Sequence, residues 1–121
     1  MQHEFAIFPS QTDADIYVAE LDRNVVGWSA RESSPNYVSD LWVKPDHQGR
    51  GIGQALLLHL CDIMAAQGHV KARLDTHAKN SEAIRLYERC GFTIIWRGLE
   101  YSKNMGVDLE KVHLEKALAL K

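Results

Sequence analysis

Cysteine and proline are scarce in this chain, at two and three residues among 121. Two cysteines cannot build the disulfide framework of a small secreted domain. Cys61 and Cys90 both fall at apolar positions of expected helices and read as buried free thiols, which places the chain in a reducing cytoplasm. No apolar run reaches membrane-spanning length, so no membrane partner is expected. The opening residues, Met1-Gln2-His3-Glu4-Phe5-Ala6, lack the basic-then-apolar layout of a signal peptide. Neither sign of charge dominates: fourteen basic residues against sixteen acidic give −2, and nothing argues for a nucleic-acid partner. The six histidines (His3, His47, His59, His69, His77 and His113) show no short ligand spacing, so no metal is expected. No Ser-His-Asp pattern or glycine elbow supports a hydrolase. With 45% apolar and 25% charged residues, the chain reads as one soluble domain over residues 1–121.

Glycine, by contrast, is concentrated. His47-Gln48-Gly49-Arg50-Gly51-Ile52-Gly53-Gln54 places three glycines at alternate positions, after an apolar run and before a long apolar-patterned segment. A strand ends, the backbone turns, and a helix starts at once. Backbone N–H groups free of flanking side chains at the positive end of a helix dipole make a pocket for a phosphate or pyrophosphate. Gln48 and Arg50 add a polar and a cationic arm. A plain glycine-rich turn beside a solvated arginine is the other reading. No Lys-Ser or Lys-Thr follows the glycines, so this is not a nucleotide P-loop. The dinucleotide fingerprint fails at its third glycine, where Leu56 stands, although Asp75 occupies about the place of a ribose-binding carboxylate.

The pattern along the chain alternates between two periods. Residues 15–21 and 25–31 read as a hairpin around Asp22-Arg23-Asn24, with Gly27 marking a bulge or a close backbone approach. A third strand spans 37–43, with Val38, Asp40 and Trp42 on one face. Ile52, Leu56, Leu60 and Met64 then recur at steps of four in a deeply buried helix ending near Ala66, with Gly68 as a left-handed cap. A strand over 70–76 leads to a second helix, N-capped by Asn80 and closed after Cys90 by Gly91. Residues 92–101 are β-prone and 102–106 form a loop. In the tail after Val107 a strand through Val112 and Leu114 competes with a helix through Leu109, Leu118 and Leu120. Residues 1–14 carry no clear period. The order gives an α/β domain with a mixed sheet.

The second cluster is Asn80-Ser81-Glu82-Ala83-Ile84-Arg85-Leu86-Tyr87-Glu88-Arg89-Cys90-Gly91-Phe92. It resembles the N-x-x-A-x-x-x-Y-x-x-x-G-F hallmark of the GNAT N-acetyltransferase superfamily, matched at Asn80, Ala83, Tyr87, Gly91 and Phe92. The glycine turn, as Gln48-x-x-Gly51-x-Gly53, resembles the acyl-CoA loop of the same superfamily. Asp40 to Pro45 looks like its fourth strand and Val112 to Leu118 like its last. The likeness spans roughly residues 15–118 and implies an α+β fold, with a mixed, mostly antiparallel central sheet flanked by helices.

It also implies a function: transfer of an acetyl group from acetyl-CoA, the co-substrate, to an amine-bearing acceptor. The backbone of Leu41, Trp42 and Val43 would bond the pantetheine. The N–H groups of Gln48, Gly49, Arg50, Gly51, Ile52, Gly53 and Gln54 would hold the pyrophosphate. Asn80 and Ala83 would reach the cofactor, and Tyr87 would lie near its sulfur. Acyl transfer from a thioester expels a thiolate that needs a proton. A tyrosine, with a pKa of about 10, can supply it at neutral pH. Tyr87 is thus the general acid, against a plain reading as a core-packing aromatic. Asp40 is the base by position, with Asp75 and His77 behind it and a water relay as the other route.

The chain departs from the superfamily at its start. About fourteen residues precede Ile16, too few for the two helices that relatives carry there as one wall of the acceptor site. A homodimer that completes the wall is the expected consequence. A CoA-binding sensor or partner subunit without turnover is the alternative function. The acceptor itself is not legible.

Overall fold

The computed structural model describes residues 5–11, 13, 15–32 and 34–118. The first four residues and Leu120, which entered the reading of the two ends, lie outside them. Strand β1 (Ala6–Pro9), in the stretch without a sequence signal, pairs antiparallel with β2 (Ile16–Leu21). A two-residue turn joins β2 to β3 (Asn24–Ala30), and Asp22 and Arg23 in it have φ of 53° and 70°. Positive φ at both central residues is what a type I′ hairpin turn demands. Gly27 fulfils both halves of its expectation. The register slips beside it, at Ala19/Glu20, and a β-carbon there would lie 2.8 Å from the Trp42 carbonyl and 3.1 Å from Leu56.

The third expected strand is shorter than its sequence pattern. Regular pairing covers only β4 (Asp40–Val43), antiparallel to β3. Tyr37, three residues earlier, instead makes an isolated parallel bridge to Arg73. That change of partner breaks the face alternation read from sequence: Val38 is buried in the core while Trp42 is 43% exposed.

A single 3-10 turn (Pro45–His47) leads into helix α1 (Ile52–Ala66). Leu56, Leu57, Leu60, Cys61 and Met64 are buried along it, the three-and-four spacing that turns one helix face inward. Each such side chain contributes about 1.5–3 kcal/mol by leaving water. Gly68, at φ 91°, closes the helix: its N–H bonds the Ala65 carbonyl and that of His69 bonds Met64. This is a Schellman motif. Strand β5 (Lys71–His77) follows, then α2 (Ser81–Arg89), β6 (Thr93–Ser102) and β7 (Val107–Ala117). The tail is therefore a strand, and β6 runs through Ser102 into what read as loop.

The strands form two antiparallel sheets, ordered β1-β2-β3-β4 and β5-β7-β6. β4 and β5 are the terminal strands that face each other. They touch near their starts, where Val38 N–H bonds the Arg73 carbonyl and Arg73 N–H bonds the Asn36 carbonyl. Beyond that point no strand pairing joins them among the described residues, and the sheet splits. One core, around Leu57, Leu60, Met64, Leu74, Phe92, Val112 and Leu114, takes side chains from α1, from β5 and β7 and, through Ile84, Leu86 and Tyr87, from α2. A smaller one seats α1 on β2 and β3 through Ala19, Val26, Ile52 and Leu56. Residues 41 and 43 face the helices. The alternate positions, where Trp28 pairs with Trp42, face the other way.

Candidate active site

The split between β4 and β5 opens into a cleft of about 640 Å³, within the range that small-molecule sites occupy. Leu41 and Val43 form its β4 wall, residues 47–49 and 51–54 its floor, and α2 its opposite wall. Of the residues singled out from sequence for cofactor contact, Trp42 and Arg50 do not line it. Trp42 points its side chain to the other face, and Arg50 is an exposed residue of the turn. Asp40 also stands outside the cleft.

The floor is built by the glycine turn. Gly49 and Gly51 have φ of 79° and 83°, and a β-carbon on either would meet nothing within 4 Å. Glycine is needed there for backbone conformation, not for room. Gly53 differs: a β-carbon would sit 3.4 Å from both Leu86 and Val43, so its absence lets α1, α2 and β4 converge. No side chain caps the start of α1. Its leading N–H groups open toward the cleft with the positive end of the dipole behind them, an arrangement suited to an anion. Gln48 braces this turn, its amide donating to the Val43 carbonyl at 3.2 Å.

The α2 motif resolves into helix chemistry. The Asn80 side chain accepts from Ala83 N–H at 3.4 Å, an N-cap, and its amide donates to the Thr76 hydroxyl at 3.3 Å. At the other end Gly91 N–H bonds Glu88, Phe92 N–H bonds Tyr87, and Gly91 has φ of 96°. The Tyr87 and Phe92 rings lie 6.4 Å apart, the apolar contact that accompanies a Schellman motif. Capping thus accounts for Asn80, Gly91 and Phe92, while Ala83 gives it only a backbone N–H. Tyr87 has a further property, since it lines the cleft. Burial pushes its phenol above its ordinary pKa, and the charge of Asp75 adds to the shift. It stays protonated through neutral pH and is a proton donor.

The cysteines lack the depressed pKa of an activated thiol. Burial pushes Cys61 up to about 11 and raises Cys90, and both are free and buried.

Sequence reasoning missed His47, Glu82, Arg85, Leu86 and Arg89, all of which line the cleft. Arg85 and Arg89 stand four apart on α2, a spacing that puts two cations on one face and was visible in the sequence. It missed Tyr37 as well, whose hydroxyl donates to Asp75 Oδ2 at 2.6 Å. Lys111 Nζ holds the other oxygen of Asp75 at 2.6 Å. Asp75, so engaged, is not the free carboxylate that a ribose hydroxyl requires. His77, the other reserve candidate, is exposed and outside the cleft.

The Acetyltransferase (GNAT) family model matches residues 1–92. Among curated relatives, the chain is 48% identical over 50 residues to the ribosomal protein bS18-alanine N-acetyltransferase of Salmonella typhimurium, covering 41% of this chain and 34% of that protein. It is 33% identical over 76 residues to the streptothricin acetyltransferase of Streptomyces lavendulae, covering 63% of this chain and 39% of that one. The chain's matches thus span about a third of these relatives' lengths. Among solved structures, the Escherichia coli ribosomal-protein-S18-alanine N-acetyltransferase superposes with a TM-score of 0.74 at 23% identity, over 88% of this chain and 70% of that one. A putative streptothricin acetyltransferase from Bacillus anthracis, in complex with acetyl coenzyme A, gives 0.76 at 22%, over 86% and 62%. Those likenesses are of fold, and the sequence match over three quarters of the chain carries the assignment: this chain belongs to the GNAT acetyltransferase family.

Proposed function

We propose that the chain is an acetyl-CoA-dependent N-acetyltransferase, a single domain that moves an acetyl group to a primary amine by direct attack in a ternary complex. The observation that carries this reading is the cleft itself: an uncapped, glycine-led helix start on one side and the protonated Tyr87 on the other, beside the edge strand β4. Its residues fit acetyl-CoA. The N–H groups of residues 48–54 would hold the pyrophosphate, with Arg85 and Arg89 as cations on the facing wall. The unpaired edge of β4 at Leu41, Trp42 and Val43 offers backbone groups to the pantetheine, and Asn80 and Ala83 shape the wall beside it.

Acetyl-CoA supplies the acetyl thioester. Tyr87 donates its proton to the departing sulfur as the new C–N bond forms and the C–S bond breaks. The amine must arrive neutral. Asp40, half-buried at the start of β4 and next to Leu41 of the cleft wall, would take the ammonium's proton, directly or through water.

Curated relatives named as ribosomal protein bS18-alanine and glucosamine 6-phosphate N-acetyltransferases support an amine here. Association into a homodimer is supported by β6, an edge strand that leaves Ile94, Ile95, Trp96, Leu99 and Tyr101 between 42% and 67% exposed. Sedimentation at micromolar concentration tests it, with a monomer as the refuting result. Two free buried thiols support a cytoplasmic setting.

A thermal-shift screen with acetyl-CoA, CoA, NAD, NADP and ATP tests the function. A ligand at a hundredfold excess over its Kd adds about 2.7 kcal/mol of stability. A shift confined to acetyl-CoA and CoA, followed by thiol release in an amine panel, is expected. A CoA-binding subunit without turnover would give the shift and no thiol with any amine.

A further inference from the structure

Where the two sheets part, three side chains from three strands meet. Tyr37, just before β4, reaches forward to Asp75, two residues beyond its own bridge partner Arg73 on β5. Lys111, on β7, grips the second oxygen of the same carboxylate. Asp75 and Lys111 are 18% and 25% exposed, so the ion pair is largely out of water. Behind this point the sheets share backbone hydrogen bonds, and ahead of it they share none among the described residues. The Tyr37–Asp75 bond is therefore the tie nearest the open end of the split.

We propose that Tyr37, Asp75 and Lys111 form a clamp of positioning residues that fixes how far β4 and β5 diverge and holds the Asp75 carboxylate in one orientation. The proposal deepens the acetyltransferase reading and rests on it for the meaning of the cleft. The clamp has two separable effects. The Tyr37 hydroxyl spans the gap, so it sets the width available to a pantetheine-thick chain. The Asp75 carboxylate, oriented by both partners, adds to burial in disfavouring ionisation of Tyr87.

The charges agree with this. Burial works against an ionised Asp75, yet the hydrogen bonds from Lys111 and Tyr37, with the charges of Lys111 and His113, outweigh it and hold the carboxyl below its ordinary range. Tyr37 is pushed far above the ordinary phenol, by burial first and then by its bond to Asp75 and the charges of Asp75, Glu100 and Asp40. It stays a donor. The cleft that Tyr87 lines also carries His47 from the turn before α1 and Glu82, Arg85 and Arg89 from its own helix, while the β4 wall offers only Leu41 and Val43. Burial is the larger cause of the raised Tyr87 phenol, and the charge of Asp75 adds to it.

Three variants separate the effects. Tyr37→Phe removes the tie and keeps the charge, so the cleft loses its set width and acetyl-CoA affinity by calorimetry should fall by more than about threefold. Asp75→Asn keeps an acceptor for Tyr37 and removes the charge. Followed by NMR of tyrosine labelled at Cζ, the Tyr87 titration should move to lower pH while acetyl-CoA affinity changes less than threefold. Lys111→Met leaves Tyr37 and Asp75 in place and serves where Asp75→Asn does not fold. With its carboxyl freed from the lysine, Asp75 should neutralise at higher pH, and the Tyr87 resonance should report that step. An unmoved Tyr87 titration together with unchanged affinity in Tyr37→Phe would overturn the clamp. None of these readouts needs an acceptor amine. A chain that binds acetyl-CoA and turns over no amine would refute the enzyme and leave the clamp standing.

Discussion

The two helices that border the cleft begin in opposite ways. α2 starts under the Asn80 side chain and ends in a Schellman motif locked by Tyr87 and Phe92. α1 also ends in a Schellman motif, at Gly68, but starts after a left-handed Gly51 with no side-chain cap. A glycine at the cap forgoes only about a few tenths of a kcal/mol against a capping side chain, and the helix's free N–H groups keep their full power to bind an anion. The contrast teaches that one helix is finished by its own sequence and the other is left for a ligand to finish.

The largest effect should come from showing that finished α2 also does chemistry. Tyr87→Phe keeps the ring against Phe92 and removes the proton. Turnover should fall by about 10²–10⁴-fold, the usual worth of a general acid, with acetyl-CoA affinity within threefold of the parent. Equal losses in both would mean that Tyr87 only packs.

Capping α1 artificially is the next test. Gly51→Asp sets a carboxylate among the free N–H groups, where a phosphate would otherwise sit, in a left-handed conformation that aspartate tolerates better than most residues. CoA affinity should drop more than tenfold, while chemical denaturation shows a loss of no more than about 1–2 kcal/mol. Unchanged affinity would disconnect the glycine turn from the ligand.

Removing the cap from α2 should matter less and elsewhere. Asn80→Ala should cost about 1 kcal/mol in a denaturant titration. Any loss of acetyl-CoA affinity beyond that would show that Asn80 also contacts the ligand.

The smallest effect is on stability against pH. The folded Asp75 pKa is lowered, so its stabilising contribution is complete above the ordinary carboxylate pKa of about 4 and fades as pH falls through the folded value. For Tyr87 the folded pKa is raised, so its contribution is complete below about pH 10 and is lost as pH rises through the folded value. Asp75→Asn should flatten the acid limb of a stability–pH curve and leave the neutral plateau level.

Much of the frame was legible because it rests on short-range rules. The step-of-four apolar stripe of α1, the turn at Asp22-Arg23 and the glycines after both helices each concern residues within one or two turns of one another. The same rules failed at Tyr37. Its neighbours alternate like a strand, but the alternation belongs to two different partnerships, with Arg73 first and with β3 afterward. The expected shared face of Val38 and Trp42 failed for the same reason, since Val38 is buried in the core and the Trp42 side chain is exposed. Arg85 and Arg89 could have been found from their spacing.

The sequence by itself determined the helices, their caps, the hairpin and the glycine-led helix start, because capping, turn conformation and amphipathic period act between near neighbours. Only the tertiary structure decided that β4 and β5 part after a single bridge. It alone brought Tyr37, Asp75 and Lys111, separated by dozens of residues, onto one carboxylate, and set Tyr87 within reach of that charge. Such meetings depend on strand order and on where pairing stops, and no local pattern encodes either.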